Sequence, residues 1–462
     1  MVVLQGLFVA TLVVVAVCAS PSCDGSPGNA LPQGVHLAFS GGNPANEIVV
    51  SWFSCGLPPE TENPEVEIFG TKNASTGLLY TGKSHSYYKS WQHNVVVNGL
   101  KPGTRYFYVA RLGEGVSKRF SFQTLFGAPP PLANFTTLVV GDMGVNNSAH
   151  TRARMSERIG RFNCTIHVGD ISYADDSHVR PIEPSSGSSY EAVYNLFQTE
   201  METIAASAPY MVSPGNHDVS CSAIGDLGCP KQQRNFSAFR NRFFMPSARS
   251  GAVDQRGRSV QNMWYSFDVA GIHFASISTE SDFAHAPTTP RTFVGGGAGG
   301  GFGDQLTWLQ ADLAKAREDP SIKFVVVYGH RPWYSSVKKD WPLGAEAHVQ
   351  AAFEPIFHDN RVDLYICGHK HFYERTVSAF NGKRNDANGT VQIINGAAGN
   401  NEGIEAGHGP KGLVVAANYV DEGFGTLQLL ENSTVLRWQY HLASNGKVVD
   451  QLDFNTRGTN KQ

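Results

Sequence analysis

Short apolar runs, most of them closed by a side chain that can bind a metal, recur through the second part of the chain. The runs are TTLVVGD, CTIHVGD, APYMVSPGNHD, KFVVVYGH and VDLYICGHKH, and a sixth run, IHFASIST, lacks such an ending. Segments with a helical period, at 189–206, 305–318 and 345–357, lie between them. Strands that alternate with helices predict an α/β (α+β) layered domain whose strands are buried on both faces.

The polar residues that close these runs share one property, because each offers oxygen or nitrogen to a cation. They are Asp142, Asp170, Asn216, His217, His330, His369 and His371. Ligand sites in layered α/β domains gather beyond the carboxyl ends of the strands, so we expect these side chains to meet. A single Gly-Asp is usually a turn and a lone histidine is usually a core residue. Their repetition at one strand end after another instead indicates a metal site.

Two spacings make this prediction more specific. Asp170 lies 28 residues after Asp142, which fits one strand–helix–strand crossover and places both carboxylates on neighbouring strands. His369 and His371 are two residues apart, so in an extended backbone both imidazoles project from the same face.

The first part of the chain consists of short β-rich runs broken by turn residues between 34 and 124. This spacing predicts a small all-β sandwich, and the stretch GLKPGTRYFYVARL resembles fibronectin type III domains. The segment has no catalytic cluster, so we expect a packing or spacing role, with glycan or partner binding as the alternative. We place this domain at 33–126, a semi-rigid proline-rich linker at 127–133, and the layered domain, including the C-terminal strands, at 134–462.

The first nineteen residues carry no charged side chain and end in a Val-Cys-Ala step. We interpret 1–19 as a signal peptide, with an uncleaved membrane anchor as the alternative. No later stretch is long and apolar enough to span a bilayer, so we expect no membrane association after cleavage. The expected location is secreted or extracellular, or a lysosome- or vacuole-like compartment.

Glycosylation sequons and cysteines fit this route. Seven Asn-x-Ser/Thr triplets begin at Asn73, Asn134, Asn146, Asn163, Asn235, Asn388 and Asn432. Removal of the signal peptide would leave six of the seven cysteines, an even number that suits an oxidising compartment. We predict a local disulfide between Cys221 and Cys229, consider Cys23 with Cys55 a weaker candidate pair, and expect buried free thiols at 164 and 367.

Composition narrows the choice of function. A chain of 462 residues with 41% hydrophobic and 17% charged residues predicts two globular units. Its formal net charge of -3, without a basic block, argues against a nucleic-acid partner, whereas a local metal site can still attract a small anion. The glycine-rich FVGGGAGGGFG lacks the Lys-Ser/Thr of a P-loop, and we expect a mobile surface loop.

The ordered series GD, GDISY, GNH, GH and GHKH resembles the metallophosphoesterases, and Tyr173 in the second motif resembles the purple acid phosphatases. The resemblance covers nearly the whole chain, because larger members of that family also have a fibronectin-like domain before the catalytic one. It implies a four-layer, β-sandwich-like metallophosphoesterase domain behind the small all-β domain.

The resemblance also implies a dinuclear metal centre. The first metal would be bound by Asp142, Tyr173 and His371. The second would be bound by Asn216, His330 and His369. The Asp170 carboxylate would bridge both. Because a phenol must ionise to coordinate, Tyr173 favours Fe(III) at the first position, and the second position suits Zn, Fe(II) or Mn.

The implied reaction is acid phosphatase activity, in which a metal-bound hydroxide attacks a small phosphomonoester directly. We expect His217 to bind phosphate or protonate the leaving alkoxide, and Asp218 to orient its imidazole. The leaving-group acid stays open among Lys338, Lys339 and His285. Alternatives are a phosphodiesterase or nucleotidase of the same superfamily, or an inert secreted binding protein.

Overall fold

The computed structural model describes residues 23, 31–55, 63–126, 135–178, 190–222, 228–288, 299–337, 343–430 and 434–456. The predicted signal peptide at 1–19 and the predicted linker at 127–133 lie outside these residues, as do Asn134, Asn432, Lys338, Lys339 and the first part, 293–298, of the glycine-rich run.

The N-terminal part is an all-β sandwich, as the turn spacing predicts. Its strands are β1 (Gln33–Ala38), β2 (Ile48–Ser54), β3 (Glu65–Phe69), β4 (Leu78–Thr81), β5 (Lys83–Tyr87), β6 (Ser90–Val97), β7 (Arg105–Leu112), β8 (Gly115–Val116) and β9 (Phe120–Gln123). They form two antiparallel sheets with the orders β1-β2-β6-β5 and β4-β3-β7-β8, and β9 pairs with β7. Trp52 of one sheet and Tyr108 of the other lie in the shared core.

The second part contains two large sheets, two two-stranded pairs and the five α-helices of the described residues. Its strands up to the middle of the domain are β10 (Thr136–Val140), β11 (Met143–Gly144), β12 (Cys164–Val168), β13 (Ile171–Ser172), β14 (Tyr210–Ser213), β15 (Tyr265–Val269), β16 (Ile272–Ser276) and β17 (Phe324–Tyr328). The remaining strands are β18 (Leu364–Cys367), β19 (Tyr373–Thr376), β20 (Ala379–Phe380), β21 (Lys383–Arg384), β22 (Val391–Asn395), β23 (Val414–Asn418), β24 (Gly423–Leu430), β25 (Val435–Leu442) and β26 (Val448–Asn455). The α-helices are α1 (Ala149–Ser156), α2 (Tyr190–Ala205), α3 (Ser237–Arg242), α4 (Gln305–Glu318) and α5 (Ala345–Asp359).

The two large sheets each have a parallel centre. One has the order β14-β12-β10-β24-β25-β26, in which β10, β12 and β14 run parallel. The other has the order β15-β16-β17-β18-β22-β19-β23, in which β16, β17, β18 and β22 run parallel. The two-stranded pairs are β11-β13 and β20-β21. Near the C-terminus, β25 and β26 form an antiparallel pair.

The layer order explains why the strand sequences are continuously apolar. Along β17, Val326 and Tyr328 lie in the core between the two sheets, whereas Val325 and Val327 lie in a second core with α4 and α5. Because alternate side chains point to opposite faces, both faces of this strand need apolar residues. On the other sheet, the α2 residue Phe197 contacts the His167 ring of β12. The domain therefore has four layers, helix, sheet, sheet and helix.

The N-terminal sandwich packs against the α2 layer. The Tyr108 hydroxyl donates to the carbonyl of Ala206 at 2.8 Å, and the backbone N–H of Val35 donates to the Glu202 carboxylate at 3.1 Å. The two parts thus share a buried, hydrogen-bonded contact. Among the described residues, no helix combines the length and the apolar character that crossing a membrane requires.

Candidate metal centre

The strand ends bring the predicted ligands to one edge of the sheet pair. Asp142, Asp170 and Asn216 follow the parallel neighbours β10, β12 and β14, while His330 and His369 follow the parallel neighbours β17 and β18. Carboxyl ends of parallel strands lie at the same edge, so these five side chains face a common space between the two sheets.

The loops after the strands turn sharply. Asp142, Asp170, Tyr173 and His369 all have positive φ, between 54° and 69°, a left-handed conformation that is uncommon for residues with a side chain. Strained backbone of this kind is concentrated at functional sites, because it persists only where the surrounding structure holds it. Here it lets consecutive loop residues turn back toward the sheet edge.

Two glycines of the motifs are required by the closeness of the carboxylates. A Cβ on Gly215 would lie 2.2 Å from Asp170 Oδ1, and a Cβ on Gly368 would lie 2.1 Å from Asp142 Oδ2. Both distances are far shorter than any real Cβ contact, so the GNH and GHKH motifs need glycine at these positions.

One group of donors surrounds the Tyr173 hydroxyl. This atom lies 3.3 Å from Asp142 Oδ1, 3.3 Å from Asp170 Oδ2 and 2.8 Å from His371 Nε2. All four side chains are buried. They are the residues that the family resemblance assigns to the first metal, with Asp170 as the bridge.

A second group surrounds the Asn216 side-chain carbonyl. Asn216 Oδ1 lies 3.0 Å from His330 Nε2 and 2.9 Å from His369 Nδ1, and His330 Nε2 is also 3.1 Å from Asp170 Oδ2. Ligand atoms of Asp170, His330 and His369 all lie within 4.8 Å of one another. Asp170 therefore contacts both groups, and the seven predicted ligands form one continuous cluster.

The donor set fits a pair of hard or borderline cations. It contains carboxylate, phenol, amide oxygen and imidazole, and it contains no thiol, a combination that suits iron, zinc or manganese. Such cations would bind where buried acidic oxygens and imidazole nitrogens already converge. The role of each residue as a ligand stays a prediction.

Protonation of the cluster depends strongly on burial. Burial raises the pKa of the Tyr173 phenol well above 10, and the charges of Asp142 and Asp170 raise it further. Burial lowers the pKa of His330, but the Asp170 carboxylate outweighs this effect and raises it to about 9. A proton on His330 therefore compensates part of the buried negative charge while Tyr173 stays a neutral phenol, and cations that took the place of these two protons would release them.

The structure assigns the partner of His217 to a different aspartate from the predicted one. His217 Nδ1 lies 2.9 Å from Asp175 Oδ2, and the side chain of Asp175 is buried. Asp218, which we expected in this position, accepts hydrogen bonds from the backbone N–H groups of Asp170 and Gly215, at 3.1 and 2.9 Å. Asp218 holds two loops together, because the turn after Asn216 directs its side chain back to the backbone.

The His217–Asp175 pair is strongly polarised. Burial lowers the pKa of His217, but the charges of Asp175 and Asp170 raise it well above 6.5. Burial raises the pKa of Asp175 to about 7, although His217 opposes this shift. The His217 ring also packs against the Tyr173 ring, with 4.3 Å between centroids, so the imidazole lies beside the ligand cluster. The sequence signal for Asp175 was its position two residues after Tyr173.

Sequence reasoning also missed Arg331 and the loop after β22. Arg331 is fully buried, pairs with Glu280 at 2.8 Å, and donates from Nη1 to His369 Nε2 at 2.9 Å. On the opposite side of the site, His371 Nδ1 lies 3.2 Å from the Gly403 carbonyl. Arg331 directly follows a predicted ligand, which is the only sequence signal that could have identified it.

The other predicted residues lie apart from the cluster or away from the described chain. His285 is exposed and stacks on His348 near the start of α5, at 4.9 Å between centroids. Disulfides link Cys221 with Cys229 and Cys23 with Cys55, and free thiols at 164 and 367 are buried. Glycosylation stays a prediction. Of the described sequons, Asn73 is exposed, whereas the Asn235 amide is hydrogen-bonded to the Gly300 backbone.

Comparison with known proteins gives three family matches along the chain. Residues 32–124 match the N-terminal domain of purple acid phosphatases, 135–373 match the calcineurin-like phosphoesterases, and 389–451 match the C-terminal region of iron/zinc purple acid phosphatase-like proteins.

Curated relatives from fungi and mammals match over most of their length. Acid phosphatase A of Cryphonectria parasitica is 30% identical, with 87% of each chain covered. Human acid phosphatase type 7 is 28% identical, with 93% of this chain and 91% of the relative covered. Among solved structures, the purple acid phosphatase PPD1 of yellow lupin is similar with a TM-score of 0.69 and 20% identity, over 92% of this chain and 74% of that one. This structural similarity supports the fold.

Proposed function

The chain belongs to the purple acid phosphatase family of calcineurin-like phosphoesterases, and from that premise we propose that it is a secreted enzyme that hydrolyses small phosphomonoesters. Membership in this family implies an acid phosphatase with a dinuclear metal centre and a phosphoester substrate. Our proposal adds the identity of the metals, the residues that bind them and the role of each residue in the reaction.

One observation carries the proposal, the continuous cluster in which Asp170 contacts both groups of donors. We assign Asp142, Tyr173 and His371 to the first metal. We assign Asn216, His330 and His369 to the second. A carboxylate between two donor groups can bridge two cations, and the Asp170 side chain contacts side-chain ligand atoms of both groups. The Asp142 carboxylate reaches the second group through the backbone N–H of His369.

The Tyr173 phenol supports Fe(III) at the first position. Burial and two neighbouring carboxylates oppose its ionisation, so only a cation of high charge favours the phenolate enough to bind it. The second position, with amide oxygen and two imidazoles, suits Zn, Fe(II) or Mn. When bound, the metal pair would supply Lewis acidity for the phosphate and would lower the pKa of a water molecule. We propose that water displaces the alkoxide from phosphorus in a single step, without a phosphoenzyme.

His217 is the proposed catalytic side chain that is not a ligand. Its raised pKa keeps the ring protonated, so it can bind a phosphate oxygen or give a proton to the leaving alkoxide. Asp175 holds the ring through Nδ1, which leaves Nε2 as the nitrogen that can face the substrate. We propose Asp175 in place of Asp218 as the residue that orients this imidazole.

Export is supported by the two disulfides, which persist in oxidising compartments. We therefore retain the signal peptide at 1–19 as part of the proposal, together with the division into domains at 33–126 and 134–462. The hydrogen-bonded contact with α2 supports a packing role for the N-terminal domain.

The test combines metal analysis, a visible spectrum and aryl phosphate hydrolysis. We expect iron and one divalent metal per chain, with a visible phenolate-to-iron(III) band that the Tyr173→Phe variant loses. Asp170→Asn should abolish turnover, whereas Asp453→Asn, which alters an exposed ion pair with Arg437 on β25 and β26, should leave it unchanged. A colourless enzyme, or full activity in the Asp170→Asn variant, would refute the proposed site.

A further inference from the structure

In each of the three proposed histidine ligands, one ring nitrogen points away from the other ligands. The partners of these three nitrogens are not of the same kind. His330 Nδ1 faces the Val168 carbonyl at 3.0 Å, and His371 Nδ1 faces the Gly403 carbonyl at 3.2 Å. A carbonyl accepts the ring N–H and so leaves the other nitrogen free to bind a cation, the usual arrangement of a histidine ligand. His369 differs, because its outward nitrogen, Nε2, faces Arg331 Nη1 at 2.9 Å.

A guanidinium has hydrogens to donate and no lone pair to accept with, so His369 Nε2 must be the acceptor in this contact. A neutral imidazole has a single ring hydrogen, which then lies on Nδ1, the nitrogen that faces Asn216 Oδ1 at 2.9 Å. A cation at Nδ1 needs a lone pair there. Binding it would move the hydrogen to Nε2, where it would meet the hydrogens of Arg331 and break that hydrogen bond.

The position of Arg331 is held firmly. Its Nε lies 2.8 and 3.0 Å from the two carboxylate oxygens of Glu280, and both side chains are almost wholly buried. The backbone N–H of Arg331 donates to Thr279 Oγ1 at 2.9 Å, and its carbonyl accepts from the Tyr365 hydroxyl at 2.7 Å. The guanidinium thus presents a fixed positive charge to the second donor group, with the compensating negative charge of Glu280 beyond it.

Among the described contacts of the His371 ring, none is with a cationic side chain. The groups around its ring nitrogens are the Tyr173 hydroxyl at 2.8 Å and Asp142 at 3.5 Å from Nε2, and the Gly403 carbonyl at 3.2 Å and the Glu402 carboxylate at 3.8 Å from Nδ1. Acceptors and negative charge favour a cation, whereas a donor and positive charge oppose one. The two halves of the centre therefore differ in their electrostatic surroundings.

We propose that Arg331 is a positioning residue that acts through His369 and weakens the affinity of the second, divalent metal without affecting the first. The inference rests on the proposed ligand set, in which His369 binds the second metal. Loss of the guanidinium should free Nε2 to carry the hydrogen, so that Nδ1 binds the cation without competition. Retention of the divalent metal should then increase at least tenfold.

The test measures metal content rather than activity alone. The full-length holoenzyme is incubated with increasing concentrations of a divalent-metal chelator, and iron and zinc are measured in the recovered protein. Because Arg331→Met leaves Glu280 buried without its partner, the double variant Arg331→Met/Glu280→Gln is the main variant in the experiment. We expect it to retain zinc at chelator concentrations at least tenfold higher than wild type does, with unchanged iron.

Two further variants separate charge from packing. Arg331→Lys keeps the positive charge and should lose zinc as readily as wild type. Arg317→Met is the matched control, because Arg317 pairs with Asp363 at the opposite end of β18 and should leave zinc retention unchanged. Equal or weaker zinc retention in the double variant, or a gain in the lysine variant equal to that of the double variant, would overturn the inference.

His369→Ala distinguishes this inference from the proposed ligand set. We expect this variant to keep iron and lose zinc. If it keeps both metals as tightly as wild type, His369 is not a ligand and both ideas fail. If it loses zinc while the Arg331 variants behave like wild type, the ligand set stands and only the role of Arg331 is refuted.

Discussion

Replacement of Asp175 by asparagine tests how the proposed acid, His217, is held. The Asp175 side chain is 2% exposed, and its Oδ2 lies 2.9 Å from His217 Nδ1. Asparagine keeps the shape and can still accept through its side-chain oxygen, but it lacks the charge that strengthens this hydrogen bond. We expect kcat for an alkyl phosphate to fall about 10- to 100-fold, which corresponds to about 1.4 to 2.7 kcal/mol.

The pH dependence of the variant has a definite direction. Burial lowers the pKa of His217, but Asp175 and Asp170 together raise it well above 6.5. An acid works only while protonated, so activity is lost as pH rises through the His217 pKa. Without the Asp175 charge this pKa decreases, and the alkaline limb of the pH–kcat/KM profile should move to lower pH.

The assay compares two leaving groups. A nitrophenolate leaves without much help from an acid, whereas an alkoxide needs a proton, so Asp175→Asn should reduce alkyl phosphate hydrolysis more than nitrophenyl phosphate hydrolysis. Asp453→Asn is the control, because Asp453 pairs with Arg437 on the outer strands β25 and β26 and is not among the groups that raise the pKa of His217. An unchanged pH profile together with an equal loss on both substrates would refute the reasoning.

Three further outcomes follow from the structure. His273 lies between Asp268 and Asp312, and although burial lowers its pKa, these carboxylates raise it to about 9. Its stabilising effect, about 1 to 2 kcal/mol after allowance for exposure of Asp268, is complete below pH about 6.5 and is lost as pH rises through about 9. Thermal unfolding of His273→Gln should lack that pH dependence, and an identical dependence in wild type and variant would contradict the assignment. Gly215→Ala should lose bound metal in elemental analysis, because the added Cβ would lie 2.2 Å from Asp170 Oδ1, and normal metal content would show that the loop can move aside. Asp218→Asn should lower Tm by several degrees, since a weaker acceptor would face the N–H groups of Asp170 and Gly215, and an unchanged Tm would argue against its loop-joining role.

The strand framework could be predicted because its signals are local. Apolar runs of strand length, turn glycines and helical periods lie in the sequence itself, and α4 spans the same residues, Gln305–Glu318, as the predicted helical segment. The meeting of Asp142, Asp170 and His330 at one edge also follows from the order of strands, since each residue stands directly beyond a strand end. The limits of the other two predicted helical segments differ from the observed helices by one or two residues. Helix α5, for example, continues to Asp359.

The partners of the side chains could not be predicted, because they depend on how each loop turns after its strand. Left-handed φ angles at Asp170 and Tyr173 direct the following residues back across the site, so Asp175 reaches His217 although it is 42 residues distant. Adjacent Asp218 instead points to the backbone, which no local pattern indicates.

The sequence by itself determined the two-part organisation, the layered strands and the set of polar residues at their ends, because periodicity and turn chemistry act over a few residues. Only the tertiary structure decided which groups face each ligand. Arg331 meets His369 across the edge between β17 and β18, and the Gly403 carbonyl meets His371 from a loop after β22. Such contacts join residues far apart in the chain, and their geometry is set by packing of whole layers.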